Sequence, residues 1–285
     1  QRVRLEKLPQ VVDAKISVYN FKTDLEINII QLYFVPIKSS RNMNFFERLA
    51  CSIIKAGTIP RHVAFIMDGN RRYAQKAGLA KVEGHKQGFD TLAKVLDWCR
   101  ELGINQVTLY AFSVENFKRT QEEIDSIMNL ARKKCDSILD ELDQVNEAGV
   151  KVRIAGDMNL LPEDLRDKIN RIQELTKHNN KACLNICLAY TSRHELVQTV
   201  RKLATLVQNN ELRIEDVDLN LFEQNLYLPR PFPDLIIRTS GEVRLSDFML
   251  WQCQESTLMF VDALWPEMSI WDFLKAIFFF QYNCS

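Results

Sequence analysis

The stretch "HVAFIMDGNRRYA", His62 to Ala74, decides the reading of this chain: an apolar run stops abruptly at Asp68-Gly69-Asn70, and Arg71 and Arg72 follow at once. A short apolar run closed by a turn signal reads as a strand buried on both faces, the habit of parallel sheets. A carboxylate and two guanidiniums crowded at its end need an anion or a metal nearby, or else they are an ordinary helix cap with solvated arginines. Under the first alternative Gly69 lets the backbone approach closely. The amides of the following helix then form a diphosphate cradle, with Asp68 as a hard oxygen ligand for Mg²⁺ held jointly with phosphate.

Working outward, β-rich apolar runs recur at Val63–Met67, Gln106–Phe112, Val150–Ala155, Cys183–Ala189, Leu235–Arg238 and Leu258–Val261. Helical patterns fall between them: Phe89, Leu92, Val95, Leu96, Cys99 and Leu102 mark one helix, and Ile124 through Val145 mark a longer one. Further helices fit 163–177 and 193–208. This alternation predicts an α/β domain, a six-stranded mostly parallel sheet flanked by helices, with ligands at the carboxyl ends of the strands.

The α/β domain is assigned to residues 59–285, preceded by an amphipathic helix at 43–58. In that helix Phe45, Leu49, Ser52, Ile53 and Ala56 form one stripe and Gly57 is a stop. Residues 1–42 are an N-terminal extension of uncertain structure without the pattern of a signal peptide. No apolar run reaches the length of a membrane span; the strongest, Ile27–Ile37, is short and interrupted by polar residues and Pro36.

Bulk properties narrow the function. Of 285 residues, 37 are basic and 37 acidic, so no global field favours nucleic acid, and anion binding must come from local clusters. The seven cysteines are an odd number scattered through apolar segments, which suggests reduced thiols. Cys183 and Cys187 read as core residues rather than metal ligands.

Two further strand ends carry polar clusters. "AFSVENFKR" sets Ser113, Glu115, Asn116 and Arg119 around Phe117, a pattern that also fits a helix start. "IIRTSGEVRLSDFMLWQ" places Arg238, Arg244 and Ser246 around Gly241, two forked cations and a hydroxyl able to close on a second phosphate. His85, in "EGHKQG", is a lone histidine at a helix start. Together the clusters describe a site for two phosphorylated substrates and one Mg²⁺.

In order and spacing, "HVAFIMDGNRRYA", "GHKQG", "YAFSVENFKR" and "RTSGEVRLSDFMLWQ" resemble the signature blocks of the cis-prenyltransferases, over about residues 44–280. The eukaryotic dehydrodolichyl diphosphate synthase branch looks nearest, because Arg71 stands where bacterial undecaprenyl diphosphate synthases usually have glycine. The resemblance implies the undecaprenyl diphosphate synthase-like fold and sequential condensation of isopentenyl diphosphate onto an allylic primer such as farnesyl diphosphate. Asp68 would hold Mg²⁺, and Gly69, Asn70, Arg71, Arg72, His85 and Arg119 would bind the allylic diphosphate with it. Arg238, Arg244 and Ser246 would bind isopentenyl diphosphate, and Asn116, with Ser113 and Glu115 nearby, would orient the nucleophile. Lys81, where many members have arginine, and Phe117 would give support. The D-D-x-x-D motifs of trans-prenyltransferases are missing from the chain.

Thr257 stands where bacterial members carry a glutamate as a second Mg²⁺ ligand, and the end "FFFQYNCS" differs from their Arg-x-Gly segment. These departures imply a heteromer with a Nogo-B-receptor-like subunit, peripherally attached at the cytosolic face of the endoplasmic reticulum membrane and serving dolichol synthesis and protein glycosylation. Part of "WDFLKAIFFFQY", Trp271–Tyr282, would serve the pairing or else form the last core helix. The competing readings are a noncatalytic scaffold subunit or a degenerate phosphate-binding protein. Asp68 with both arginine clusters intact favours the enzyme.

Overall fold

The computed structural model describes residues 43–284; the expected extension at 1–42, with its Ile27–Ile37 run, lies outside them. Six strands form one sheet: β1 (His62–Ile66), β2 (Gln106–Ser113), β3 (Val150–Ala155), β4 (Ala182–Tyr190), β5 (Leu235–Arg238) and β6 (Thr257–Phe260). Their order is β3-β4-β2-β1-β5-β6, and every neighbouring pair is parallel, so the sheet is parallel throughout. All five residues of β1 are buried. Val63 and Phe65 enter the larger core cluster and Ala64 and Ile66 the smaller one on the opposite face, which is why this strand has no polar alternation.

The helices are α1 (Phe45–Ile54), α2 (Asn70–Lys76), α3 (Lys81–Leu102), α4 (Gln121–Asp140), α5 (Leu142–Ala148), α6 (Glu163–Thr176), α7 (Ser192–Gln208), α8 (Leu219–Gln224) and α9 (Ile270–Asn283). The single long helix expected through Val145 is two, broken at Glu141, whose φ of −110° and ψ of 21° leave the helical region. α1 is capped by a reciprocal Asn44–Glu47 box. It turns Cys51 inward, while Phe45, Leu49 and Ile53 of the expected stripe face solvent. α9 divides its residues: Ile270, Phe273, Leu274, Ile277 and Phe280 are core, whereas Trp271, Phe278 and Tyr282 are exposed. Among the described residues no helix is long and apolar enough to cross a membrane. All seven cysteines are free thiols, and Cys187 is fully buried as expected of a core residue.

His62, the first residue of β1, is buried as a neutral ring. Its Nδ1 donates to the Pro231 carbonyl at 2.9 Å, so Nε2 accepts from the Thr108 hydroxyl at 2.7 Å. Burial, set against the Pro231 hydrogen bond, lowers its pKa to about 4. The folded state then resists a proton that the unfolded chain accepts near pH 6.5. The stabilisation is complete above that value and is lost as pH falls through about 4, at roughly 1.4 kcal/mol per unit. Denaturant titrations of His62→Gln between pH 4 and 7 are expected to show a flatter acid limb than the wild type; an unchanged slope would remove His62 as its source.

Candidate active site

The polar clusters expected at the strand ends do converge. Beyond β1, Gly69 takes φ +110° and caps α2, turning the chain so that Asp68 faces the carboxyl end of β5. The turn is held through its backbone: the Asp68 carbonyl accepts from Trp265 N at 3.0 Å and from the Thr239 hydroxyl at 2.7 Å. Gly84 and Gly88 of α3 allow α2 to lie close. A Cβ at Gly88 would stand 2.2 Å from Asn70 Oδ1, and one at Gly84 would stand 2.4 Å from the Asn70 carbonyl oxygen.

Arg238, at the end of β5 and only 4% exposed, links the two expected half-sites. Its Nη2 donates to Asp68 Oδ2 at 2.9 Å, while Nη1 donates to Ser246 Oγ at 2.7 Å and to the Arg244 carbonyl. Arg72 lies 3.7 Å from the same Asp68 oxygen. Burial would raise the Asp68 carboxyl, but the hydrogen bond and charge of Arg238, with Arg72 beyond, outweigh it and hold the group below the usual carboxylate range. Asp68 is therefore ionised. Burial, then the charge of Arg119, lowers the His85 pKa, so that ring stays neutral. His85 Nε2, Asn70 Oδ1 and Arg238 Nε are buried with no hydrogen-bond partner among the described residues, polar atoms of the kind a bound ligand satisfies.

These groups ring the mouth of a cavity of about 740 Å³, within the roughly 300–1,000 Å³ usual for ligand pockets. Gly69, Asn70, Arg71, Arg72, His85, Ser113, Glu115, Asn116, Arg119, Arg244 and Ser246 line it with Asp68 and Arg238. Below the mouth the wall is almost wholly apolar, including Leu109, Ile127, Ile138, Val152, Ile169 and Leu184. It descends between the sheet and α4. From Glu123 to Ile138 that helix advances about 22 Å at its usual rise.

Some expected residues have other duties. Phe117 is not among the lining residues; it packs edge to face on Phe112 at 5.0 Å. Asn116 and Ser113 form the capping box of the short 3-10 turn Val114–Lys118, Asn116 Oδ1 accepting from Ser113 N at 3.1 Å, so the helix-start reading also holds. Glu115 pairs with Lys118. Lys81 opens α3, and its side chain lies outside the described ones.

Two carboxylates escaped the sequence reading. Glu123 lies 3.0 Å from Arg119 and 3.8 Å from Arg71, and Glu242 lies 3.4 Å from Arg72 while pairing with Arg244. The available signal was the closeness in sequence of Arg119, in the extended link before α4, to Glu123 in that helix's first turn.

Comparison with known proteins agrees with this geometry. The family described as putative undecaprenyl diphosphate synthase matches residues 66–284. The dehydrodolichyl diphosphate synthase complex subunit of Homo sapiens is 50% identical over 244 residues, 85% of this chain and 73% of that protein. The geranylgeranyl-diphosphate-specific tritrans,polycis-undecaprenyl-diphosphate synthase of Pyrococcus horikoshii is 42% identical over 89% of this chain and 94% of its own. The chain belongs to the cis-prenyltransferase family. Among solved structures, lavandulyl diphosphate synthase from Lavandula x intermedia, in complex with dimethylallyl diphosphate, superimposes with a TM-score of 0.72 at 34% identity, over 78% of this chain and 95% of that one.

As a cis-prenyltransferase the chain is a prenyl-transferring enzyme, and its sheet is the one the family's solved members share. Thr257, where bacterial members are expected to carry a glutamate, lies apart from these groups. Thr257 begins β6 and pairs with Leu235 at the amino end of the sheet, whereas Asp68 lies beyond the carboxyl end of β1. Within one cis-prenyltransferase chain of this geometry, position 257 is not beside Asp68, and Thr257 is no substitute ligand there.

Proposed function

We propose that this enzyme condenses isopentenyl diphosphate repeatedly onto an allylic diphosphate, with farnesyl diphosphate as primer, to make a long polyprenyl diphosphate for dolichol synthesis. The observation that carries the reading is the cavity itself, a mouth of guanidiniums around an ionised carboxylate opening onto a long apolar wall. Asn70, Arg71, Arg72, His85 and Arg119 would take the allylic diphosphate, and Arg238, Arg244 and Ser246 that of isopentenyl diphosphate. In each cycle the allylic C–O bond breaks with its electron pair leaving on diphosphate. The isopentenyl double bond attacks the allylic carbon, and diphosphate and one proton are released. Donors already in place where that negative charge develops are worth roughly 3 kcal/mol each. The apolar wall retains the growing chain, each five-carbon unit contributing up to roughly 4 kcal/mol at about 0.8 kcal/mol per buried CH₂.

Mg²⁺ fits this site as an ion shared with substrate. Among the described residues no group of three or more His, Cys, Asp or Glu side chains could hold a metal alone. Asp68 offers one ionised carboxylate beside the proposed diphosphate positions, and Mg²⁺ is commonly bound by one or two carboxylates together with substrate phosphates. Bound there, it would neutralise charge on the leaving diphosphate.

We further propose a Nogo-B-receptor-like partner subunit and peripheral attachment to the cytosolic face of the endoplasmic reticulum membrane. The first is supported by relatives named as subunits of a synthase complex. The second is supported by the outward Phe45, Phe46, Leu49 and Ile53 of α1. The test is chromatography of products made from labelled isopentenyl diphosphate and farnesyl diphosphate, using the chain alone and with such a partner on liposomes. A ladder of five-carbon steps is expected, enhanced by the partner. Absence of any condensed product in both preparations would reject the enzyme reading, and equal rates would reject the partner requirement.

A further inference from the structure

Among the residues at the cavity mouth, Asp247 is out of place by charge: a carboxylate next to Ser246 in a site built for diphosphates. Its surroundings account for it. Ser246, Asp247 and Met249 have φ of 50°, 61° and 48°, three non-glycine residues in the left-handed region within four positions. Residues without glycine's freedom hold such angles only where neighbouring contacts over-determine them.

Those contacts are specific. Asp247 Oδ1 accepts from Arg193 N at 3.0 Å and Oδ2 from Arg193 Nε at 2.9 Å, so both carboxylate oxygens are engaged. The Asp247 carbonyl accepts from Ser192 N at 2.7 Å, and Ser192 Oγ accepts from Leu250 N at 3.0 Å. On the other side Tyr110 donates to the Ser246 carbonyl at 3.2 Å and stacks on Phe248, ring centroids 4.6 Å apart. Phe248 is fully buried. The segment is thus pinned at Phe248 in the core and at Asp247 on the first turn of α7, with Ser246 immediately before the two pins.

We propose that Asp247 is a positioning residue for isopentenyl diphosphate: by locking residues 244–249 to α7 it fixes the Ser246 hydroxyl and the Arg244 carbonyl against Arg238, and so presets the second phosphate subsite. It acts through these neighbours rather than by touching the anion, which its charge would repel. The inference rests on the proposed assignment of that subsite. It places a determinant of substrate affinity on the α7 side of the loop, in the Ser192-Arg193 turn, and makes the two half-sites separable by mutation, because none of these bonds reaches Asn70, His85 or Arg119.

The test is calorimetric titration of the full chain, in Mg²⁺ buffer, with isopentenyl diphosphate and separately with farnesyl diphosphate. Asp247→Asn keeps an acceptor for Arg193 N but loses the charge facing Nε. Asp247→Gly removes the side chain while suiting the +61° backbone without strain. Affinity for isopentenyl diphosphate is expected to fall about threefold in the first and about tenfold in the second, as for loss of hydrogen bonds to a charged group. Affinity for farnesyl diphosphate should stay within about twofold of the wild type. Should the glycine variant fail to fold, the asparagine variant decides by the same contrast. Wild-type affinity in the folded variants, or an equal fall for both ligands, overturns the proposal. A wild-type chain that binds no isopentenyl diphosphate either alone or with the proposed partner subunit overturns instead the functional reading beneath it.

Discussion

Asp68→Ala is expected to lower condensation by at least about a thousandfold while leaving the protein folded. The activity loss follows from the carboxylate's place. It is the ionised group at the mouth, held by Arg238 at 2.9 Å with Arg72 at 3.7 Å, where metal and leaving diphosphate would meet. The fold should survive because the turn at Asp68 is tied by its carbonyl to Trp265 N and to the Thr239 hydroxyl, bonds that the substitution leaves intact. Arg238 keeps Ser246 and the Arg244 carbonyl as partners. Turnover measured beside a thermal melt checks both parts, and near-normal turnover in a folded variant would remove Asp68 from the chemistry. The same carboxylate imposes a pH dependence. Its lowered pKa means that the charged form is kept well into acid, and activity that requires it is lost only as pH falls through the folded value.

Arg238→Met should have the next largest effect, at least about a hundredfold on turnover, and unlike a change at exposed Arg244 it should damage both substrate affinities. Among the described residues this guanidinium, 4% exposed, is the group that hydrogen-bonds both Asp68 and Ser246. Removing it leaves the carboxylate with the weaker help of Arg72 and the Gly69 amide, so the acid limb of the activity profile should move to higher pH. Stability should also fall, by about 1–2 kcal/mol for lost hydrogen bonds to a charged group, since the carboxylate left behind is 35% exposed and keeps Arg72. Separate titrations with isopentenyl and farnesyl diphosphates provide the check; a selective loss of one would show that Arg238 serves a single half-site.

The strands were legible because burial on both faces writes itself as unbroken apolar runs. Val150–Ala155 and Leu235–Arg238 are found at the residues expected, and the other four within one or two. The convergence of three polar clusters was legible too, since parallel strands bring their carboxyl ends to one edge. What the sequence concealed were relations across the fold. Glu123 and Glu242 look like solvated surface carboxylates until α4 and the 240–244 loop bring them against the arginines. The glycines of "GHKQG" matter more than periodicity suggests, because Gly84 and Gly88 are where α3 admits Asn70. The orientation of α1 was not readable either. Its apolar residues almost encircle the helix, and only packing decides that Cys51 turns in and Phe45 and Ile53 turn out.

The proposed account stands or falls on the cavity as the place where the chain grows. Ile138, on α4 far from the mouth and 8% exposed, is part of its apolar wall. Chromatography of the products of Ile138→Trp, made from labelled isopentenyl diphosphate, measures this directly. A bulky ring there should shift the products to shorter chains while the rate of the first condensation stays within about threefold of the wild type, since the mouth is untouched. An unchanged product distribution from a folded, active variant would contradict elongation through this cavity.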